Sequence, residues 1–167
     1  MINKITNANA YLNGTTLIGK LEELQLPSIK FKMQDVATLG VFAELELPSG
    51  LEKLEAQLKW NAIYGDNFKA ESPLAAVSLT VKANMKQHGA AGSLKDIPVT
   101  VTISGVFKEI PLGTIKGAEK IDGLEHKMTV YYLKLEENGV QIYEVDVFNN
   151  IIKFGTNDIL EQFRLNQ

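Results

Sequence analysis

The chain has 167 residues, a net charge of −3 with both signs dispersed, and no cysteine. That length suits one domain, able to bury roughly 70% of the surface its unfolded form exposes. Disulfides, thiolate zinc sites and thiol nucleophiles are excluded, and the charge lacks the basic footprint of a protein that grips nucleic acid.

In chain order, the opening MINKITNANAYLNG has no apolar core and no small-residue cleavage site, so no signal peptide is expected. No apolar run approaches the ~20 residues of a membrane helix, so stable membrane insertion is not expected. Asn13-Gly14-Thr15 matches a glycosylation sequon but reads as a turn. Residues then alternate apolar and polar in Glu23 to Leu26, Ile29 to Met33, Phe42 to Leu47, Lys53 to Trp60, Val77 to Asn84 and Val99 to Ser104. Such period-2 runs predict strands with one wet and one buried face. Pro27-Ser28 and Pro48-Ser49-Gly50 read as turns. Lys127 to Glu136 and Val140 to Val147 flank Asn138-Gly139, the strongest hairpin signal in the chain. Asn61 to Lys69 lacks period 2 and reads as a short helix or turn. Thr156 to Arg164 reads as a C-terminal helix with Ile159, Leu160 and Phe163 as its apolar stripe. Asp158 and Glu161 have capping-box spacing, with Thr156 or Asn157 as alternative caps. Met33 to Gly40, Met85 to Asp96 and Pro111 to Gly123 read as loops, the last two long for a compact β domain. The expected fold class is mainly β (α+β): a β-sandwich or barrel-like subunit with a short flanking helix and a C-terminal helix, as one domain over residues 1–167.

No motif for chemistry emerges. His88 and His126 have no spaced metal-binding partner and read as surface or edge residues. Glu136 and Glu137 are adjacent in a strand and point to opposite faces. Asp122, Asp146 and Asp158 are too dispersed for a metal cluster, and the glycines at 113, 117 and 123 make no phosphate loop. No serine sits in a nucleophile elbow, and Trp60 reads as core. No local motif calls for an enzyme, a cofactor or a metal, and a site converged from distant positions stays open at this point. The polar strand faces carry more information. Thr100, Thr102 and Ser104 form a small uncharged stripe, and Ser78 and Thr80 begin another. Glu44, Glu46 and Glu55 make their region acidic. These faces fit either an ordinary wet surface or a smooth wall toward a channel or partner.

Several segments, in their order, resemble the major tail tube proteins of contractile-tailed phages of the P2 type and the tubes of R-type bacteriocins. They are Asn7 to Gly14 (NANAYLNG), Leu24 to Lys30 (LQLPSIK), the acidic-apolar pair around Glu46 and Leu54 to Leu58, Gly105 to Glu109 (GVFKE), and Gly113 to Lys120. The hairpin from Tyr131 through Asn138-Gly139 to Asp146, then Asn149 and Gly155 to Leu160, complete the series. Where the family often has a glycine-rich stretch after its third strand, Gln34 to Phe42 keeps only Gly40 of that character.

The resemblance implies a structural subunit. Hexameric rings of such subunits would stack into a hollow tube around a tape measure protein and inside a contractile sheath. Contacts with baseplate and tail terminator proteins are implied as well. On sheath contraction the tube would be driven through the bacterial envelope, and DNA would pass through its lumen without specific binding. The implied location is the virion tail, assembled in the host cytoplasm. Glu44, Glu46, Glu55, Gln57, Thr100, Thr102 and Ser104 are the expected lumen-lining residues; Lys53 and Lys59 share a face with Glu55, and their partners are expected on a neighbouring copy. Asp35, Gly40, His88, Ser93, Lys95, Lys116, Glu119 and Lys120 are the expected inter-subunit loop residues. The competing readings are the tube of a bacteriocin or other injector without a genome, a monomeric small-molecule-binding β-barrel, and a hydrolase with a site converged from the long loops, using His88 or Asp96.

Overall fold

Asn138 and Gly139 take φ of 51° and 77°, the two left-handed residues of a tight type I′ hairpin turn. They join β11 (Glu125–Glu137) to β12 (Val140–Asp146), and β11 organises the whole sheet. The computed structural model describes residues 1–117 and 120–167. The remaining elements are β1 (Ile2–Leu12), β2 (Thr15–Thr16), β3 (Leu21–Gln25), β4 (Phe31–Val36), β5 (Leu45–Leu51), β6 (Leu54–Trp60), α1 (Gly65–Ala70), β7 (Val77–His88), β8 (Leu94–Glu109), β9 (Thr114–Lys116), β10 (Lys120–Asp122), β13 (Ile151–Phe154), β14 (Asn157–Asp158) and α2 (Glu161–Leu165). The protein is mainly β, as its alternation predicts. No helix among the described residues is long and apolar enough to cross a membrane.

One antiparallel sheet runs β14-β13-β12-β11-β8-β7-β1-β2, with β6 and β3 branching from it. The branch has a local cause. Along one edge β11 pairs with β8; along the other it pairs first with β6 (Glu125 to Val130) and then with β12 (Tyr132 to Glu137). Tyr131 sits in the β-bulge where one partner gives way to the other. Such an extra residue kinks and twists its strand, letting the two branches diverge around a common core. Gly105 lies opposite Val130 at this point. A Cβ on Gly105 would fall 1.9 Å from the backbone carbonyl oxygen of Thr129. Glycine is therefore required by close backbone approach.

The inner face carries the core, in which Leu12, Leu54, Leu58, Trp60, Leu79, Ile103, Phe107, Met128, Val130, Val145 and Ile152 form one continuous cluster. Trp60 is buried as expected and packs edge-on against Phe68 of α1 at 5.2 Å.

Several expectations need correction. The span 85–96 is not a loop: β7 and β8 continue through it to His88 and from Leu94, leaving a turn of five residues. Residues 2–12, unassigned from sequence, form a full strand paired with β7 from Ile2↔His88 to Leu12↔Leu79. Both errors share a reason. These strand halves extend beyond the core, both faces are wet, and the period-2 signal vanishes. Residues 33–36 of the expected loop and the expected turn at Pro48-Ser49-Gly50 are strand, because β4 and β5 form a separate two-stranded ribbon, while 37–40 lie in the segment joining its strands as expected. A bulge between Lys32 and Met33 absorbs the irregularity, and a ribbon's outer edge needs no donor from Pro48. The span 111–123 contains the small β9–β10 hairpin. Finally, the C-terminal helix is short: Asn157–Asp158 pairs with β13, and α2 starts after Leu160 with no side-chain cap.

Gly105→Ala should destabilise the protein by about 3 kcal/mol or more, because backbone atoms must move to admit the methyl group. Gly65→Ala, at an open position, should be near neutral. Urea unfolding of the two variants checks the contrast.

Candidate assembly surfaces

The outer face of the large sheet is built in rows. Thr80, Thr102, Lys134, Glu144 and Lys153 lie side by side across β7, β8, β11, β12 and β13, as do Ser78, Ser104, Tyr132 and Asp146 across the first four. Thr100 sits between Lys82 and Glu136. Glu55 and Gln57 extend this face through their partners Thr129 and Lys127. The structure thus brings Thr100, Thr102, Ser104, Glu55 and Gln57 onto one face. It does not bring Glu44 and Glu46 there: both lie on the β4–β5 ribbon, exposed.

Several charges on this face are paired within the chain, while Lys82, beside Thr100, is exposed and lies over the Tyr11 ring. Lys108 and Lys53 both reach Glu55, the latter at 3.1 Å, and hold its carboxyl below the usual value, Lys108 first. Lys59 meets Glu22 at 3.2 Å and Lys134 meets Glu136 at 2.7 Å. Gln57 donates to Glu125 at 3.0 Å. The partners expected on a neighbouring copy for Lys53 and Lys59 are therefore supplied by the same chain. Such exposed pairs add little stability, but they leave the centre of the surface nearly neutral around a small hydroxyl strip.

The expected loop residues fall at three separate places. Asp35 lies in β4 opposite Glu46, and Gly40 takes φ +87° in the segment joining β4 to β5. His88, Ser93 and Lys95 surround the β7–β8 turn, with His88 exposed between Ile2 and Leu94. Lys116 and Lys120 face each other across β9 and β10 and both reach Asp122, at 3.8 and 3.3 Å. Glu119 lies outside the described residues.

Three kinds of surface are left uncovered. Among the described residues, the outer edge of β1 is free before Ala10 and that of β3 throughout, whereas that of β13 is covered by β14, by Ile159 N–H on the Ile152 carbonyl and by Arg164. Unpaired edges are templates for another strand. An apolar groove of about 630 Å³ opens between the base of the β4–β5 ribbon and α2. The tip of that ribbon carries Leu39 and Phe42, both wholly exposed. The sequence hint for the tip was the apolar run Leu39-Gly-Val-Phe42 beside a turn glycine.

No group of His, Asp and Glu among the described residues is arranged to hold a metal. One buried polar constellation does exist, and it corrects the surface reading of His126. Its imidazole is fully buried, with Nδ1 2.5 Å from Glu71 Oε2 and Nε2 donating to the Pro111 carbonyl at 3.0 Å. With Nε2 donating to that carbonyl, Nδ1 is left facing the Glu71 carboxyl group. The pair ties the end of α1 and the segment after β8 to β11, with Phe68 against the ring at 4.7 Å. This is a clasp, closed to solvent.

A mainly β body with open edges, an apolar groove and an exposed apolar tip defines a structural subunit, one whose surfaces are made to be covered. The comparisons give the same class. Residues 2–166 match the family described as phage tail tube protein FII, and the chain belongs to that family: it is a tail tube subunit, as the sequence resemblance implied. It is 25% identical, over 99% of its length and 97% of the relative's, to the tail tube protein of Escherichia phage P2. Its fold is shared with a cryo-EM structure of an extracellular contractile injection system, the PVC sheath/tube terminator in the extended state. That match has a TM-score of 0.54 at 9% identity and covers 77% of this chain and 92% of the other.

Two consequences are measurable. Glu71→Ala strands His126 Nδ1 and should cost about 1–3 kcal/mol, whereas Glu71→Gln, which can donate to it, should cost much less; thermal unfolding separates them. Asp158 is held below the ordinary carboxylate range, first by Arg164 and then by the Leu160 N–H. Its contribution is therefore present above the unfolded value of about 3.9 and lost as pH falls through the lower folded value. NMR titration should find the Asp158 carboxyl depressed, and Asp158→Asn should remove that part of the acid sensitivity.

Proposed function

We propose that copies of this chain close into hexameric rings that stack as the inner tube of a contractile tail, with the polar outer face of the large sheet toward the lumen. The observation that supports the reading is two open edges at separate borders of the sheet, β1 over residues 2–9 on one side and β3 at the end of the branch on the other. Strand pairing from one copy to the next satisfies both edges, and repetition closes a ring without leaving a border. Thr100, Thr102 and Ser104 then line the channel centrally, with Glu55 and Gln57 beside them. Central hydroxyls, with Lys53, Lys108 and Lys134 tied to carboxylates, leave Lys82 as the exposed lysine beside Thr100 and offer phosphates little to grip, so DNA slides instead of sticking. Glu44 and Glu46 belong to the ribbon and to contacts between rings, together with Asp35 and Gly40.

Around this tube the partners are the sheath outside, the tape measure protein inside during assembly, and baseplate and terminator proteins at the ends. The particle is a virion tail put together in the bacterial host's cytoplasm, and the tube conducts the genome when contraction drives it through the envelope.

Electron microscopy of the concentrated protein should show rings or tubes with an open lumen; a chain that stays monomeric at every concentration, and is missing from tail particles, overturns the reading. Thr102→Lys with Ser104→Lys should keep tubes intact and slow DNA passage in a salt-dependent manner. Unchanged passage at low salt would remove this face from the lumen.

A further inference from the structure

The outer face of the large sheet changes character along its strands. Its centre carries Thr100, Thr102 and Ser104, but toward the β7–β8 turn it becomes basic. Residues 2–12, 77–88 and 94–104, which run side by side as β1, β7 and most of β8, contain four lysines (Lys4, Lys82, Lys86 and Lys95) and one carboxylate, Asp96. The chain's net charge of −3 conceals this excess. Strand registers set Lys4 beside Lys86, Asn7 beside Asn84 and Asn9 beside Lys82. On β7 the exposed Lys82, Asn84 and Lys86 alternate with the buried Val81 and Ala83, so they share the outer face with Thr100. Lys4, Asn7 and Asn9 join that face through their β7 partners, and Lys95 falls on the other side.

Among the described residues, none of Lys4, Lys82 and Lys86 forms an ion pair. Asp96 stands across from Lys86 without closing one, and Glu136, beyond Thr100, is tied to Lys134 at 2.7 Å. The Lys82 ammonium is held over the Tyr11 ring at 5.5 Å. Lys4 and Lys86 are directly opposite each other, a register in which like charges destabilise. These lysines therefore add nothing to the fold of the single subunit, and a polyanion laid along them meets all three. Lys82 and Lys86 are roughly 13 Å apart along β7 at ~3.3 Å per residue, with Lys4 one strand across from Lys86. Asn7 and Asn84 offer amide donors between them. Lysine and asparagine side chains are among the groups that hold phosphate oxygens without reading bases. Lys4, Asn7, Asn9, Lys82, Asn84 and Lys86 include no apolar anchor of the kind a docked protein segment uses, so the chemistry favours a phosphate backbone.

We propose that this end of the outer face is a phosphate-contact site, where Lys4, Lys82 and Lys86 hold the backbone of double-stranded DNA without regard to sequence. The site is a property of the subunit. Its place on a channel wall rests on the tube reading, and there it divides the lumen into two zones. Along the hydroxyl centre DNA slides; at the basic end, repeated in every copy of a ring, it is slowed. Each ammonium set on a phosphate releases a counterion, so the hold is firm at low salt and fades as salt rises.

Fluorescence anisotropy of a short labelled DNA duplex against the dilute, monomeric chain reads the site across a salt series. With three phosphates contacted, log affinity should fall against log salt with a slope of about −2.7. Lys4→Gln, Lys82→Gln and Lys86→Gln should each reduce the slope by about 1 and weaken binding for every sequence alike. The triple variant should bind roughly tenfold or more weakly at low salt, with its unfolding midpoint unaltered because only exposed side chains change. Lys30→Gln with Lys32→Gln, on the ribbon, should leave the slope as it is. Absence of duplex binding at low salt, or a triple variant with the wild-type slope, overturns the site. Tighter binding of polyglutamate than of the duplex overturns it in favour of an acidic protein partner. Wild-type tubes together with an unchanged slope in the triple variant overturn the site and leave the tube standing. A slope lost in the triple variant of a chain that never forms rings overturns the tube reading and leaves the site standing.

Discussion

Backbone N–H and C=O groups along a strand require partners on both edges, and in this chain β11 is where that requirement is met most fully. One edge of β11 is occupied by β8, and the other is divided between β6 and β12. The division is possible because Tyr131 bulges and because Gly105 has no side chain to block the approach. Everything else follows from that fork. It sets the two sheet branches around one core and puts their polar faces on a common outer surface. It also leaves β1 and β3 at the borders, with most of their outer edges unpaired among the described residues.

The protein's chemistry is accordingly one of surfaces. The buried polar pair His126 with Glu71 is sealed among Trp60, Phe68 and the Pro111 carbonyl and holds segments together. Several charged groups on the outer face neutralise each other locally, as Lys53, Lys108 and Glu55 do. What remains uncompensated includes backbone at the sheet borders and apolar area at the ribbon tip and in the groove. Those deficits are in the places where a polymer of identical subunits supplies partners.

The ribbon shows how one element serves two ends. Its base packs Phe31 and Leu51 on the core, with Phe31 6.4 Å from Phe154, while its tip makes no use of its own apolar residues. A subunit selected to fold alone would place Leu39 and Phe42 inward. Their exposure, with Asp35 set against Glu46, is intelligible when the functional unit is the assembly.

The sequence by itself determined the mainly β class, the Asn138-Gly139 and Asn13-Gly14 turns and the buried sides of β6, β7, β8 and β11. Alternation against one core face and left-handed turn residues are local signals. Its ordered motifs determined the family. Tertiary structure alone decided that residues 2–9, 85–88 and 94–96 are strand, because there both faces are largely wet and no period survives. It alone placed Thr100 to Ser104 with Glu55 and Gln57 and left Glu44 and Glu46 on a separate ribbon, since which strands share a face depends on pairing between distant segments. It buried His126, whose partner Glu71 stands 55 positions away, beyond the reach of any local pattern.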